Sequence, residues 1–571
     1  MFSPMNVPSR EVASAGTASH SASSLQPLPL TDFESTLEPG PGVILSRRKF
    51  LARIGIGAAG MWLVAMHPRY MEGAQMTRDH LPRSTPEAQG MSSQAILAFL
   101  EAVDRSKHEF HSLMVVRHGK VIAEGWWSPY RAGSPHMLYS LSKSFTSTAV
   151  GLAVAEGKLT VKDRVITFFP KDLPAAISDH LADLRVKDLL TMSVGHGEDS
   201  TASLWDQDNW VKQFLSLPIP NPPGTQFLYN SGATFMLSAI VQKVSGVKLL
   251  DFLEARLFQP LGISGATWET APQGINTGGW GLKLQTEALA KFGLLYLQQG
   301  KWDDRQLLPA SWIAEATSFK IQQPGGDLER LKQQSDWHQG YCYQFWRCRH
   351  NAYRGDGAFG QYCIVMPDQD AVIAITSESP SMQGELDLIW EHLLPAMKTE
   401  AIAADQSSQS QLAKRLGSLA LQPPKALKSS AAAARVSRRE FVLEPNDAGI
   451  RSVGFAFKRD SCMFTATNAG GSHTIHCGLA SWILGRTSMP GTPPKLTKGK
   501  LGPVSQIAAS GTWKDEITFE MTWRFYETPH HDTVTCRFEG DQLTVEFLDS
   551  MTAMAPGKKD QRNPWRGRLK A

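Results

Sequence analysis

The sequence predicts an α+β domain followed by a smaller all-β domain. Three observations lead there. At 571 residues the chain is too long for a single hydrophobic core. Between about 78 and 398, helical periods interleave with hairpin-like β runs. From Arg439 onward, only short β-like runs and turns remain.

Composition narrows the class. A hydrophobic fraction of 42% and a charged fraction of 20% suit a globular protein. The net charge of +4 is small, and much of it sits in short basic runs at the two ends, so no nucleic-acid partner is implied. Six cysteines in so long a chain do not make a disulfide framework. Neither C-x-x-C nor H-E-x-x-H occurs, so no metal site and no cofactor is implied.

Residues 1–77 read as a disordered extension and a signal. The first 45 are rich in Ser, Pro, Ala and Thr without periodicity. Ser46-Arg47-Arg48-Lys49 then precedes an apolar run from Ile54 to Met66, which resembles a twin-arginine export signal and implies a periplasmic destination. The run is shorter than the ~20 residues a spanning helix needs.

In the main domain, 78–398, residues 92–105 have a helical pattern with a serine available as N-cap. Ser112–Arg117 and Val121–Trp127, joined at His118-Gly119-Lys120, predict a hairpin. Residues 138–157 predict a helix: Phe145, Ala149, Leu152 and Ala153 recur at helical spacing and Gly157 stops it. Val186–Met192 predicts a short helix. Pro223-Gly224 marks a turn, after which Tyr229-Asn230-Ser231 opens an apolar helix ending at Gly246. A further helix has Thr286 as N-cap and Gly300 as stop. Gly340–Trp346 reads as a strand. A glycine-rich turn at 355–361 leads into two β runs, Tyr362–Met366 and Ala371–Thr376, and residues 384–397 predict a closing helix.

Residues 399–435, rich in Ala, Ser, Gln and Lys, read as a linker. The tail, 436–571, predicts a small antiparallel sandwich or barrel, with Glu539-Gly540-Asp541 as one of its hairpin turns. Its tryptophans 482, 513, 523 and 565 suit core packing better than a binding face. Docking of this tail on a cell-wall polymer or membrane surface is a weaker expectation.

The chemistry concentrates at Ser140-Leu141-Ser142-Lys143. On a helix, i and i+3 share a face, which sets Lys143 beside Ser140. A serine hydroxyl needs a base to become a nucleophile. Lysine is a base only when neutral, and burial near a positive helix N-terminus lowers its pKa. The four-residue pattern also occurs at Ser46–Lys49 and Ser245–Lys248, so its weight here comes from its apolar helix and from two further elements downstream. Tyr229 is either a proton relay or a tyrosine packed at a helix start. The 355–361 turn either admits a ligand to its backbone or is a plain hairpin. His196 is either a pocket residue or, more in keeping with a loop histidine, a helix cap.

With L-Y-S-L-S-K-S-F-T-S, P-G-T-Q-F-L-Y-N-S-G and G-A-F-G-Q-Y-C-I-V-M-P in that order, the chain resembles the serine β-lactamase and penicillin-binding-protein superfamily. It looks closest to the class C-like branch, which also holds esterases, D-aminopeptidases and 6-aminohexanoate-dimer hydrolases. The resemblance implies a β-lactamase-like fold, an antiparallel sheet flanked by helices with a helical subdomain, and a serine hydrolase acting through an acyl-enzyme on a small ester, amide or short peptide. It implies Ser140 as nucleophile, Lys143 as base and Tyr229 as proton shuttle. The oxyanion donors would be the N–H groups of Ser140 and Ala358, with Ser231, Gly357 and Arg354 on the substrate side. Two positions depart from the family pattern. Ser231 stands where the second motif usually has Asn. Gly355-Asp356-Gly357 stands where β-lactamases have Lys-Thr-Gly, which moves the carboxylate-gripping cation to Arg354 or removes it and argues against efficient β-lactam hydrolysis. These departures keep open an alternative: a decayed hydrolase scaffold serving as a binding or regulatory protein.

Overall fold

Alternating β-branched and apolar residues build the centre of the molecule. The computed structural model describes residues 80–490, 504–555 and 557–570, which belong to one compact unit. The extension, Arg47-Arg48 and the 54–66 run lie outside the described residues.

The main domain is built on a six-stranded sheet: β1 (Glu109–Arg117), β2 (Lys120–Trp126), β3 (Trp346–Arg347), β4 (Tyr353–Gly357), β5 (Gln361–Met366) and β6 (Ala371–Glu378). Its order is β2-β1-β6-β5-β4-β3, and every neighbouring pair is antiparallel. Each residue of β6 is buried, as befits an inner strand covered on both faces. Period-2 alternation divides the strands between two cores. Leu113, Val115, Ile373 and Ile375 face α1 (Ser93–Arg105), whose N-cap Ser92 accepts the amide of Ala95. Met114, Val116, Val372 and Ala374 face the larger core that holds α2 (Ser142–Ala155), α3 (Ser231–Ser245) and α4 (Thr286–Leu297).

Helix α2 lies inside this larger core and has no solvated face over its first three turns. Three of its buried hydroxyls are satisfied across the core. Ser144 donates to the Gln344 carbonyl at 2.8 Å, Thr146 to the Gly278 carbonyl at 2.8 Å, and Thr148 bonds the Tyr296 hydroxyl at 2.7 Å. The domain closes with α5 (Met382–Leu388), capped by Ser381, and its irregular continuation through Ala396.

Two local expectations are corrected. Gly340–Trp346 is not a strand; only Trp346–Arg347 is, because Gln344 takes a left-handed φ of 62° and spends its amide on the Leu189 and Leu190 carbonyls. Thr286 is the first residue of α4 rather than its cap, and its hydroxyl donates to Ser112 at 2.7 Å.

Residues 399–435 follow an ordered path. Within it α6 (Gln406–Gly417) buries Leu412 in the α1-side core. Ala420 bridges to Ser128, and Leu427 exchanges backbone hydrogen bonds with Trp513 at 3.0 and 2.9 Å.

The tail forms a barrel of β7 (Arg439–Leu443), β8 (Ser452–Phe457), β9 (Ser461–Asn468), β10 (Gly471–Leu479), β11 (Ile483–Thr487), β12 (Ser505–Trp513), β13 (Thr518–Arg524), β14 (His531–Glu539), β15 (Gln542–Asp549) and β16 (Trp565–Leu569). The order is β10-β9-β8-β7-β16-β15-β14-β13-β12-β11, and a parallel β10–β12 pairing at Gly478–Ser510 and Leu479–Gly511 closes the ring. Trp513, Trp523, Phe519, Phe538 and Trp565 fill its interior. All six cysteines are buried free thiols. Among the described residues, no single helix is long and apolar enough to cross a membrane.

Candidate active site

The turn that carries Ser140 is a short 3-10 segment, Tyr139–Leu141, running directly into α2. Tyr139 has a φ of 48°, a left-handed conformation costly for a bulky residue. The turn presents Ser140 half-buried at the start of α2, with Lys143 buried one turn on. Ser245–Lys248, by contrast, straddles the end of α3 and never shares a helical face.

Lys143 Nζ lies 3.1 Å from Ser140 Oγ, 2.9 Å from Ser231 Oγ and 2.8 Å from the Gly279 carbonyl. A neutral amine has two N–H groups and one lone pair. Ser231 and Gly279 take the N–H groups, which leaves the lone pair for the Ser140 proton. Burial brings the lysine down to about 7, against the opposing pull of Asp199 and Asp356.

Tyr229 stands just before α3, whose N-cap is Asn230. Its ring stacks on Trp346 at 5.8 Å and lies edge-on to Tyr341. Its hydroxyl faces Ser140, and Lys143 Nζ sits 4.8 Å from its ring centroid. Burial, reinforced by Asp356, pushes the phenol far above its ordinary value. Burial thus keeps the Tyr229 phenol protonated, and of the two groups beside Ser140 it is Lys143 that is brought toward neutrality.

The third stretch packs directly on the Ser140 turn. A Cβ on Gly357 would lie 2.0 Å from the Leu138 carbonyl oxygen, and one on Gly355 would lie 2.5 Å from Ser144 Oγ. Only glycine lets β4 approach this closely. Ala358 follows at the end of β4, half-buried, and its carbonyl accepts from Gln361. Phe359, next in line, has a φ of 68°.

Arg354 is placed differently from expectation. Its guanidinium is fully buried, pairs with Asp356 at 3.0 Å, donates to the Asp336 carbonyl at 2.9 Å and lies 4.2 Å from the Trp337 ring. A cation committed inside the fold cannot grip a substrate carboxylate.

Two further residues support the site. Asn230, which caps α3, is bonded by Ser200 and lies 3.0 Å from His196 Nδ1, so His196 braces a helix cap. Burial lowers that imidazole to about 4, keeping it neutral. Asp199 is an addition to the expected set: its Oδ1 accepts the Ser231 amide at 3.2 Å, setting a negative charge at the N-terminus of α3 and within reach of Lys143. An acidic residue in an irregular loop 32 positions away has no spacing signal to reveal it.

Among the described residues, Glu109, Glu378 and His531 gather their donor atoms within 4.8 Å. Arg524 already pairs with Glu109, and His530 and Ser550 already bond Glu378, so a metal ion there would compete with a guanidinium.

A family model described as Beta-lactamase matches residues 102–396. The chain is 24% identical over 292 residues to the 6-aminohexanoate-dimer hydrolase of Paenarthrobacter ureafaciens, covering 47% of this chain and 72% of that one. It is 28% identical over 160 residues to a putative D-alanyl-D-alanine carboxypeptidase of Escherichia coli K12, covering 26% of this chain and only 36% of that one. Among solved structures, a putative 6-aminohexanoate-dimer hydrolase from Bacillus anthracis aligns at 20% identity and a TM-score of 0.43, over 55% of this chain and 86% of that one.

Proposed function

Because the chain belongs to the beta-lactamase family, we propose that it is a serine hydrolase that cleaves an uncharged ester or linear amide through an acyl-enzyme on Ser140. The observation that carries this reading is the Lys143 amine, brought to about 7 by burial and held between Ser140, Ser231 and Gly279.

In the forward step, Ser140 Oγ attacks the carbonyl carbon and its proton passes to Lys143 Nζ. The N–H groups of Ser140 and Ala358 take up the oxyanion charge. The tetrahedral intermediate collapses, and the leaving alkoxide or amine receives the proton from Lys143 through the Tyr229 hydroxyl. Water then attacks the acyl carbon, gives its proton to Lys143, and Ser140 is released as it recovers that proton.

The substrate class follows from Arg354. With that guanidinium spent on Asp356, the third motif offers no cation for a substrate carboxylate, which favours neutral acyl groups over penicillins. The 6-aminohexanoate-dimer hydrolase relative supports a linear amide as the substrate bond.

A panel of short p-nitrophenyl esters, linear 6-aminohexanoate amides, D-amino-acid amides and a penicillin tests this reading on the wild type and Ser140→Ala. The expected result is turnover of an ester or linear amide, lost roughly 10³-fold or more in Ser140→Ala. Full turnover by Ser140→Ala would contradict it.

A further inference from the structure

The barrel reaches the nucleophile turn. The segment between β13 and β14, residues 525–530, lies against the short strand His136–Met137 that leads into Ser140. The Met137 amide donates to the Glu527 carbonyl at 2.9 Å, Lys283 pairs with Glu527 at 3.4 Å, and the Tyr130 hydroxyl donates to the Thr528 carbonyl at 3.1 Å.

At the tip of this segment, the buried His530 bonds the Tyr139 hydroxyl through Nε2 and the Glu378 carboxylate through Nδ1, the latter at 2.7 Å. Glu378 also holds His531 at 3.2 Å and Ser550. Burial pushes the Glu378 carboxyl up, but hydrogen bonds from the two histidines prevail and bring it to about 2. As an anion it only accepts. His530 Nδ1 therefore carries the hydrogen, and Nε2 is left to accept from Tyr139.

The same ring contacts both strained positions of the site. It lies edge-on to Phe359 at 4.8 Å and to Tyr139 at 5.8 Å, and those two rings are 5.5 Å apart. Tyr139 and Phe359 both hold a left-handed φ, a state that persists only where the surroundings over-determine it. One adjoins Ser140 and the other Ala358.

We propose that His530 is a positioning residue for the oxyanion hole: the barrel supplies the side chain that locks Tyr139 and Phe359, and through them aims the N–H groups of Ser140 and Ala358. The proposal rests on the acyl-enzyme reading of Ser140. It makes the barrel a part of the catalytic scaffold rather than an appended module. Because the oxyanion hole engages developing charge, the effect falls on the acylation rate and leaves initial binding alone.

The test follows the kinetics of a fluorophosphonate adduct, in which Ser140 Oγ displaces fluoride from phosphorus, resolved into binding constant and maximal phosphonylation rate as the stand-in for acylation, in the full-length wild type, Tyr139→Phe, His530→Ala, His530→Gln and Tyr139→Phe/His530→Ala. Thermal midpoints are recorded alongside. Each of Tyr139→Phe and His530→Ala is expected to slow maximal acylation roughly tenfold to a hundredfold, with the binding constant held within about twofold. The double variant is expected to be no slower than the slower single variant, since both act on one contact. His530→Gln, which can still accept from Tyr139, is expected to recover part of the rate.

Wild-type acylation rates in Tyr139→Phe and His530→Ala would overturn the proposal, whatever happens to the midpoints. Should His530→Ala fail to fold, the rate of Tyr139→Phe decides alone. A wild type that takes no adduct would instead overturn the underlying Ser140 reading, and this proposal with it.

Discussion

At the scale of single residues, the proposed catalysis turns on the protonation of Lys143. Burial lowers its pKa from 10.5 to about 7, so the amine is charged below that value and cannot accept the Ser140 proton. The rate of acylation should therefore rise about tenfold per pH unit below 7 and level off above it. Lys143→Arg, whose guanidinium stays charged throughout, should lose roughly 10³-fold at every pH. A pH–rate profile with no inflection between about 6 and 8 would remove Lys143 as the base. Linkage gives the matching sign for stability. Between about 7 and 10.5 the unfolded chain binds the extra proton, so this group makes the fold more stable as pH rises across that window. That Ser140, Lys143 and Tyr229 come together is legible in the sequence, because each belongs to a short ordered motif with a chemical rationale. Arg354 is not, because sequence cannot tell a cation that faces the pocket from one folded against Trp337 and Asp356. Asp199 and His530 leave no trace in the sequence, since each meets the site only through the tertiary fold.

At the scale of elements, β4 meets the Ser140 turn with no room for a side chain. Gly357→Ala would set a Cβ 2.0 Å from the Leu138 carbonyl oxygen, where the obstacle is backbone and has no rotamer to yield. This substitution should destabilise the fold by about 1–3 kcal/mol and abolish acylation, read as a lowered thermal midpoint together with loss of labelling. An unchanged midpoint and rate would mean that β4 stands farther off. Elements with a clean period are legible. The 112–127 hairpin alternates, α2 and α3 carry apolar residues at helical spacing, and Gly157 and Gly246 adopt the left-handed stops expected of them. Gly340–Trp346 shows where the pattern misleads. Its aromatics divide between two clusters, Tyr341 and Trp346 with Phe227 and Tyr229, and Tyr343 and Phe345 in the larger core, while the left-handed Gln344 breaks the extended backbone.

At the scale of the whole molecule, the barrel is tied to the sheet by buried charge. Arg524 on β13 pairs with Glu109 on β1 and approaches the rings of Tyr130 and Trp482. Removing one partner leaves the other charge poorly compensated, so Arg524→Ala should cost about 3–5 kcal/mol, measured by denaturant unfolding. Burial raises the Glu109 and Glu378 carboxyls, yet Arg524 on the first and the histidines on the second hold both below their ordinary value of 4.5. Their contribution is complete above about 4.5 and is lost as pH falls toward 2. A denaturation midpoint that holds steady from about pH 4.5 down to about pH 2.5, and no cost in Arg524→Ala, would contradict this docking. Turns and short runs reveal the β-rich tail in the sequence. Its docking on the sheet is hidden there, because residues 399–435 carry a linker's composition and become ordered only by packing on α1 and Trp513.

The most direct test of the central claim is intact-protein mass spectrometry, with peptide mapping, after exposure to a fluorophosphonate. An activated Ser140 predicts one adduct, mapped to that residue, formed faster as pH rises through about 7 and absent from Ser140→Ala. No adduct on the wild type, or one that persists in Ser140→Ala, would contradict it and turn the reading toward a hydrolase scaffold used for binding.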